Sequence, residues 1–191
     1  MVKWNGDQSL EVLTLNLEGE MFAIEARHVR EILDLVSITD VPRAPPFING
    51  LINVRGKVVP LADLRVRFGM AQKPPTIDTR IVVLELDLDG EPVIVGIRAD
   101  KVHEVVEVAA AALQEAPTVG MRWRPEFIRC IGKRGDDFMI VMDIARVFTA
   151  SADLDTPRQD SDDPSSAEMP QSLRTLSDDV QSSINLMPAL A

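Results

Sequence analysis

The stretch "LINVRGKVVPLADLRVRFG", residues 51–69, places two apolar runs on either side of Arg55-Gly56-Lys57. Short apolar runs joined by a glycine turn are typical of a β-hairpin, because glycine readily adopts the left-handed backbone that a tight turn requires. The sequence therefore predicts strands over Leu51–Val54 and Val58–Leu61. The run Ala62–Phe68 predicts a short helix directly afterwards.

The basic trio at the hairpin tip has several possible roles. It lacks the Gly-x-x-x-x-Gly-Lys-Ser/Thr spacing and the long following helix with which backbone N–H groups cradle phosphate, so it is not a phosphate loop. Two interpretations remain. The trio is a solvated turn, or Arg55 presents a planar guanidinium that recognises carboxylates or carbonyls. Residue types and spacing alone favour the solvated turn.

The rest of the body, up to residue 150, is rich in Val, Ile and Leu arranged in short runs between Gly, Pro and Asp. This pattern is typical of an all-β barrel or sandwich. A second short helix is predicted over Ile144–Phe148. Residues 25–36 fit a helix and a strand equally well. Six further strands are predicted: Leu10–Leu17, Met21–Ile24, Thr79–Leu86, Pro92–Ile97, Phe127–Ile131 and Phe138–Val141.

The body contains an internal repeat. A shift of 80 residues superposes Phe47-Ile48 on Phe127-Ile128 and Asp63-Leu64 on Asp143-Ile144. A shift of 73 superposes the segment that begins at Val29 on the one that begins at Val102. The two shifts differ by a loop insertion of seven residues, so the sequence predicts two related β units, each of which ends in a short helix. Chance similarity between β-rich segments is the alternative.

Charge separates the body from the end of the chain. Residues 151–191 hold eight acidic residues and two arginines, a net charge of −6, which leaves −4 for residues 1–150. Such a body offers no basic field for nucleic acid. The last 41 residues have too little apolar content to offset the entropy of ordering, and they are predicted to be a disordered acidic tail. Its apolar end, Ile184–Leu190, is interpreted either as a frayed end or as a short docking peptide.

The sequence also bears on the compartment. Residues 1–9 are interpreted as an N-terminal arm, and the first residues contain no apolar signal core. The longest unbroken apolar stretch, near Val108–Leu113, is far too short to cross a membrane. A single cysteine, Cys130, excludes an internal disulfide and is predicted to be a small buried thiol. These features indicate a soluble protein of the reducing cytoplasm.

Residues that could carry out chemistry are few. His28 and His103 lie beside predicted β segments with no metal-ligand spacing around them, and the serines are concentrated in the tail. The segment Asp87–Gly90 begins like a calcium loop but has Arg98 where the bidentate glutamate belongs, so a hairpin turn is predicted there. The sequence predicts no catalytic residue, no metal site and no cofactor.

A long ordered motif runs from Ile48 to Arg65. It resembles the central signature of the CheW family of chemotaxis coupling proteins, roughly I-x-G-x-x-N-x-R-G-x-x-x-P-x-x-D-L-R. The resemblance covers about residues 10–150. It implies a mainly β fold of two packed five-stranded SH3-like β-barrel subdomains, interleaved, with short helices. It also implies a non-catalytic adaptor that binds the regulatory domain of a CheA-type histidine kinase and the cytoplasmic tip of methyl-accepting chemotaxis receptors, so that the protein is recruited to receptor arrays.

The resemblance also implies which residues bind partners. Arg55 occupies the place of the signature arginine implicated in receptor coupling, and a hairpin-tip arginine with a nearby carboxylate and an apolar valine would suit the docking of a receptor helix. The predicted partner-binding residues are Val29, Glu31, Gly50, Asn53, Arg55 and Gly56.

Other functions remain alongside the adaptor role. One is the same scaffold in a pilus-motility or biofilm pathway, since the docking surface would be common to all such pathways. Another is a small-molecule sensor or enzyme that uses the cleft between barrels. Residues 109–124 match the family poorly, so the limits of the second predicted barrel are open there.

Overall fold

The structure is a computed structural model that describes residues 8–117, 124–135 and 137–150. The predicted tail at 151–191 and most of the predicted N-terminal arm lie outside the described residues. Within them the chain forms eleven strands and two α-helices, α1 (Leu64–Arg67) and α2 (Ile144–Thr149). The strands are β1 (Leu10–Leu17), β2 (Glu20–Glu25), β3 (Val29–Asp34), β4 (Ile48–Val54), β5 (Lys57–Ala62), β6 (Arg80–Leu88), β7 (Glu91–Ala99), β8 (Lys101–Val108), β9 (Leu113–Gln114), β10 (Ile128–Arg134) and β11 (Asp137–Met142).

The strands form two sheets. The six-stranded sheet has the order β8-β1-β2-β11-β10-β9, and the five-stranded sheet has the order β3-β6-β7-β5-β4. Each sheet closes on itself because the chain that leaves one edge strand pairs with the opposite edge. β9 follows β8 and pairs with β10, and Thr39, which follows β3, forms a bridge with Leu51 of β4. We call the six-stranded sheet the first barrel and the five-stranded sheet the second barrel.

The predicted mainly β class with two small barrels is confirmed. All eight predicted strands and both predicted helices are present, with ends that differ by up to three residues. The ambiguous segment 25–36 forms a 3-10 turn, Ala26–His28, followed by strand β3. Strands β8 and β9 were not predicted, and the two-residue β9 is the reason that one sheet has six strands.

The internal repeat is present in the structure, and its two copies are interleaved. β1–β5 with α1 correspond to β6, β7, β8, β10 and β11 with α2, yet each barrel takes strands from both copies. The repeat extends to single hydrogen bonds. The Asp63 amide donates to the Phe47 carbonyl at 2.8 Å, and 80 residues later the Asp143 amide donates to the Phe127 carbonyl at 2.9 Å. Both aspartates also accept a hydrogen bond from a backbone amide in the first turn of the helix that follows.

Three apolar clusters hold the body together. One lies in each barrel, and the largest takes residues from both sheets and from both helices. Strands that contribute to two clusters are buried on both faces, which accounts for their continuous apolar runs. In β6, for example, Val82 and Leu84 belong to the shared cluster, whereas Ile81 and Val83 fill the second barrel.

Arg67 joins the two copies of the repeat at the shared cluster. Its guanidinium carbon lies 4.6 Å from the centroid of the Phe47 ring and 5.4 Å from that of Phe127. The same guanidinium donates hydrogen bonds to the carbonyls of Val147 (3.1 Å) and Ala150 (2.5 Å) at the carboxyl end of α2. A cation at a helix carboxyl end is favourable because carbonyls there lack intrahelical partners. Arg67 therefore anchors the carboxyl end of α2.

In the ranges that the structure describes, no helix is long and apolar enough to cross a membrane. The predicted burial of Cys130 is confirmed, since its side chain is fully buried in the first barrel. Burial raises the pKa of this thiol to about 11, so the reactive thiolate is scarce at neutral pH.

Candidate functional site

The tip of the β4–β5 hairpin is a tight turn. Arg55 and Gly56 both have left-handed backbone, with φ of 50° and 85°, and the Gly56 amide donates a 2.8 Å hydrogen bond to Asn53 Oδ1. Two consecutive left-handed residues form the turn type whose twist matches that of paired strands. The predicted hairpin is confirmed, and Asn53, Arg55 and Gly56 form one structural unit.

The Arg55 side chain lies against strand β3. Its Nε and Nη2 atoms lie 3.2 Å and 2.9 Å from Glu31 Oε2. The arginine side chain is 82% exposed, whereas that of Glu31 is 21% exposed. The structure thus brings together two predicted site residues that are 24 positions apart. At such exposure the ion pair contributes no more than about 1 kcal/mol to stability. The same exposure leaves most of the guanidinium surface available to a partner.

Gly50 has a structural role, because it permits a close approach between two segments of the backbone. Its φ is +141°, and a Cβ atom built there would contact the Thr39 carbonyl oxygen and lie 2.8 Å from Ile38 Cγ2. The chain comes this close because the amides of Thr39 and Leu51 each donate to the other's carbonyl at 2.8 Å. Gly50 therefore allows the segment after β3 to lie on β4 and close the second barrel.

Val29 and Glu31 lie on opposite faces of β3. The register of β3 against β6 shifts between them, so that Val29 is opposite Leu84 and Glu31 is opposite Val83. Directly opposed side chains point to the same side of a sheet. Val29 accordingly packs against the shared cluster and does not lie beside Arg55.

Apolar side chains are exposed on the β4–β5 hairpin and along residues 32–41, the segment that begins directly after Glu31 in the chain. Val58, opposite Asn53 in the hairpin, is 72% exposed, and Ile32, next to Glu31, is 43% exposed. We call this set with the ion pair Arg55–Glu31 the docking edge. Its apolar members are Ile32, Leu35, Val36, Ile38, Val41 and Val58. Sequence reasoning missed them, although the frequent apolar residues between 32 and 41 were a signal.

The first barrel repeats this arrangement. Arg134, at the tip of the β10–β11 hairpin, lies 2.6 Å from Glu104 on β8. Glu104 follows Glu31 by 73 positions, and Arg134 lies next to Gly135, which follows Arg55 by 80. Val58 likewise corresponds to the exposed Phe138. Because the pair recurs, joining a hairpin tip to an edge strand is part of how each barrel is built.

A buried ion-pair network holds the signature residues that follow the hairpin. The fully buried Arg65 donates from Nε and Nη2 to the two carboxylate oxygens of Asp63, at 2.9 Å and 2.5 Å. Its Nη1 donates to Asp100 at 2.7 Å. The hydrogen bond to Asp63 is the main reason that the pKa of Arg65 is raised. Arg65 and Asp63 therefore position α1 and have no surface to offer to a partner.

The arrangement of these residues suits binding. Burial lowers the pKa of His28, which favours its neutral form. The described residues contain no group of three or more His, Cys, Asp or Glu that would hold a metal ion. The candidate site consists of a tight hairpin tip, an exposed guanidinium and the exposed apolar side chains of the hairpin and of residues 32–41. Apolar surface next to charged groups is the usual anatomy of a protein–protein interface.

Known proteins resemble the chain over its whole body. The model of the CheW-like domain family matches residues 11–152. The chain is 31% identical to a chemotaxis protein CheW of Klebsiella aerogenes over 140 residues, which are 73% of this chain and 82% of that protein. It is 25% identical to a chemotaxis protein CheW of Treponema pallidum, over 75% of this chain and 85% of the relative.

A solved structure agrees with these sequence similarities. The scaffolding protein TtCheW from Thermoanaerobacter tengcongensis superposes with a TM-score of 0.67 at 30% sequence identity. The match covers 75% of this chain and 94% of the solved one.

Proposed function

The chain belongs to the CheW-like domain family, and from this we propose that it is a non-catalytic adaptor that couples methyl-accepting chemoreceptors to a CheA-type histidine kinase. Relatives and a solved neighbour are named as chemotaxis and scaffolding proteins, so a scaffold role in chemotaxis has the support of similarity. The finer statement, that the partners are the kinase regulatory domain and the cytoplasmic tip of the receptors, is the proposal. The protein would then act in the cytoplasm at receptor arrays.

The observation that supports this proposal most directly is the docking edge. A receptor tip is helical, and a helix docks by placing its apolar side chains against an apolar surface. The exposed apolar side chains of the hairpin and of residues 32–41 would offer such a surface. Arg55 provides an exposed guanidinium that can form paired hydrogen bonds with a carboxylate of the partner. The predicted site residues divide accordingly. Glu31 and Arg55 would contact the partner, Asn53 and Gly56 would shape the tip, and Gly50 would hold the edge in place.

The other functions considered from the sequence receive less support. The relatives are named chemotaxis proteins, which does not favour a pilus-motility or biofilm pathway. A sensor or enzyme in the cleft between the barrels has no observation in its favour among the described residues.

Calorimetric titration of the full chain tests the proposal. The titrants are the regulatory domain of each CheA-type kinase from the same cell and a receptor cytoplasmic fragment. We expect saturable one-to-one binding to at least one kinase domain and to the receptor fragment. If neither binds at high micromolar concentration, the adaptor role is wrong.

A charge reversal at the hairpin tip tests the role of Arg55. Arg55→Glu is expected to weaken binding to the receptor fragment about tenfold or more, equivalent to about 1.4 kcal/mol, because the guanidinium contacts the partner. Stability should change by only about 1 kcal/mol, since an exposed ion pair contributes little. Glutamate is compatible with this backbone, because Glu18 has a φ of 52° at the equivalent place in another turn. Calorimetry and urea unfolding give the two quantities.

Two further variants distinguish a direct contact between Arg55 and the partner from a purely structural role of Arg55 in the hairpin. Arg134→Glu breaks the equivalent ion pair in the first barrel and should cost a similar amount of stability. The exchange Arg55→Glu with Glu31→Arg restores an ion pair but moves the positive charge. It should bind the receptor fragment as weakly as the single variant does. Full recovery of binding would show that Arg55 only braces the hairpin.

A further inference from the structure

Arg43 has an unusual backbone conformation. Its φ is +64°, and the Ala44 amide donates to the Val41 carbonyl at 3.3 Å, so residues 41–44 form a β-turn. A turn with proline at its second position, here Pro42, and a positive φ at its third is of type II, and glycine or asparagine suits that third position. An arginine there is strained, because its Cβ atom crowds the neighbouring backbone.

This strain has no explanation in the turn itself. Arg43 is the one described non-glycine residue with a positive φ outside a two-residue hairpin turn. The others, Glu18, Arg55 and Asp89, each directly precede a glycine in such a turn. The fold requires a left-handed residue at position 43, but glycine would meet that requirement without strain. A strained residue of this kind is a reason to look for a function of its side chain.

The Arg43 side chain is exposed and available. Among the described residues its guanidinium has no hydrogen-bond or ion-pair partner. The segment that carries it is stiff, because three of the five residues 42–46 are proline and the Ile48 amide donates to the Pro45 carbonyl at 2.8 Å. A stiff segment loses little conformational entropy when a partner binds.

Arg43 and Arg55 lie on opposite sides of the bridge that closes the second barrel. That bridge joins Thr39 and Leu51 in antiparallel orientation. Arg43 follows Thr39 by four residues, and Arg55 follows Leu51 by four residues. Antiparallel segments leave a bridge in opposite directions, so the two arginines lie towards opposite ends of the docking edge. The exposed Val41 lies between the bridge and Arg43.

We propose that Arg43 determines specificity by binding a carboxylate of the helix that docks on the docking edge. An unpaired guanidinium at the rim of an apolar surface speeds the association of a partner with the opposite charge and disfavours a partner that has a cation there. With Arg55 on the other side of the bridge, the fitting partner has an apolar helix face with acidic residues towards both ends. The inference rests on the proposed function, because its partner is the receptor fragment.

Two variants of the full chain separate the role of the side chain from that of the turn. Arg43→Gly removes the strain, and Arg43→Asn introduces a neutral residue that tolerates a left-handed backbone. Both should bind the receptor fragment about fivefold more weakly in calorimetric titration, because the guanidinium is lost. The urea midpoint of Arg43→Gly should nevertheless rise by about 0.3 M. A purely structural role of Arg43 would not weaken binding in a more stable chain.

A matched variant and a change of salt complete the test. Asp89→Gly also replaces a left-handed residue, in the β6–β7 turn, and should leave the affinity for the receptor fragment unchanged. At about 0.5 M salt the natural chain and Arg43→Asn should bind with similar affinity, because exposed charges are screened.

The possible failures are distinguishable. If the natural chain binds the receptor fragment and both Arg43 variants bind it equally well at low salt, the role of Arg43 is wrong and the adaptor role is unaffected. A lower urea midpoint for Arg43→Gly would show that the turn is not strained and would also overturn the inference. If the natural chain does not bind the receptor fragment at all, receptor coupling and the role of Arg43 are both wrong.

Discussion

Replacing Arg65 with methionine is expected to lower the free energy of unfolding by about 3–5 kcal/mol, the usual cost of removing one partner of a buried ion pair. Both Arg65 and Asp63 are fully buried, and two hydrogen bonds of 2.9 Å and 2.5 Å join them. Methionine keeps the apolar part of the side chain but leaves the Asp63 carboxylate without its counter-charge. Urea unfolding at neutral pH measures the change, provided that the slope of the transition stays constant.

A second variant identifies the cause of that loss. Asp63→Ser combined with Arg65→Met removes both charges, and serine preserves a cap at the start of α1. The double variant should be more stable than Arg65→Met alone, because no uncompensated carboxylate remains in the core. Asp100, the other partner of Arg65, is 26% exposed and can be solvated. If the double variant is no more stable than the single one, an uncompensated charge is not the origin of the cost.

The internal repeat offers a matched control. Asp143 and Arg146 at the start of α2 form an equivalent cap and ion pair, with 3.1 Å between Arg146 Nε and Asp143 Oδ2. The Arg146 side chain is 38% exposed, so water can replace the lost contact. Arg146→Met should therefore cost no more than about 1 kcal/mol. An equal loss at both positions would mean that burial does not determine the cost.

The burial of Arg65 shows where sequence reasoning stops. A charged residue in a short helix is most often exposed, and its partner Asp100 lies 35 positions away. The sequence Asp63-Leu64-Arg65 resembles part of a family signature, but nothing in the residue types separates a structural arginine from a binding one. Arg55, ten positions earlier, has the opposite environment, since its side chain is 82% exposed.

Strands were predictable where both faces are buried and much less so at edges. β6 contains the unbroken apolar run Ile81–Leu84, whose side chains alternate between two clusters, and the five apolar residues of β1 also divide between two clusters. β8 is an edge strand in which charged and exposed residues alternate with half-buried valines, so its pattern is weak until its pairing with β1, about 90 positions away, is known. The repeat was visible in the sequence. The exchange of strands between its copies depends on such long-range pairing and could not be derived from periodicity.

The site was predictable in its chemistry and not in its geometry. The hairpin, its turn residues and the exposed arginine all follow from local sequence. The contact between Arg55 and Glu31 depends on closure of the second barrel, and the direction of Val29 depends on a shift in register within β3. A shift of one residue reverses which face a side chain occupies. No pattern in residues 25–36 indicates where that shift occurs.

Closure of the second barrel is also the basis of the second large effect. Gly50→Ala is expected to destabilise the chain by about 1–3 kcal/mol through overpacking, in addition to about 1–3 kcal/mol for the strained backbone. The new methyl group would meet the Thr39 carbonyl oxygen and Ile38, and neither the backbone nor β4 can move without breaking their paired hydrogen bonds. Gly56→Ala is the matched control, because φ there is +85° but no atom lies within 4 Å of the new position. Gly56→Ala should therefore show only the destabilisation that comes from the strained backbone.

Hydrogen exchange distinguishes local opening from general loss of stability. In Gly50→Ala the amides of Thr39 and Leu51 should exchange faster relative to those of β6, because their mutual hydrogen bonds are the ones displaced. The segment that carries Leu35, Val36 and Ile38 would then leave β4, and binding of the receptor fragment should be lost even where the chain remains folded. If these amides stay protected and binding is unchanged, the contact between Gly50 and Thr39 does not position the docking edge.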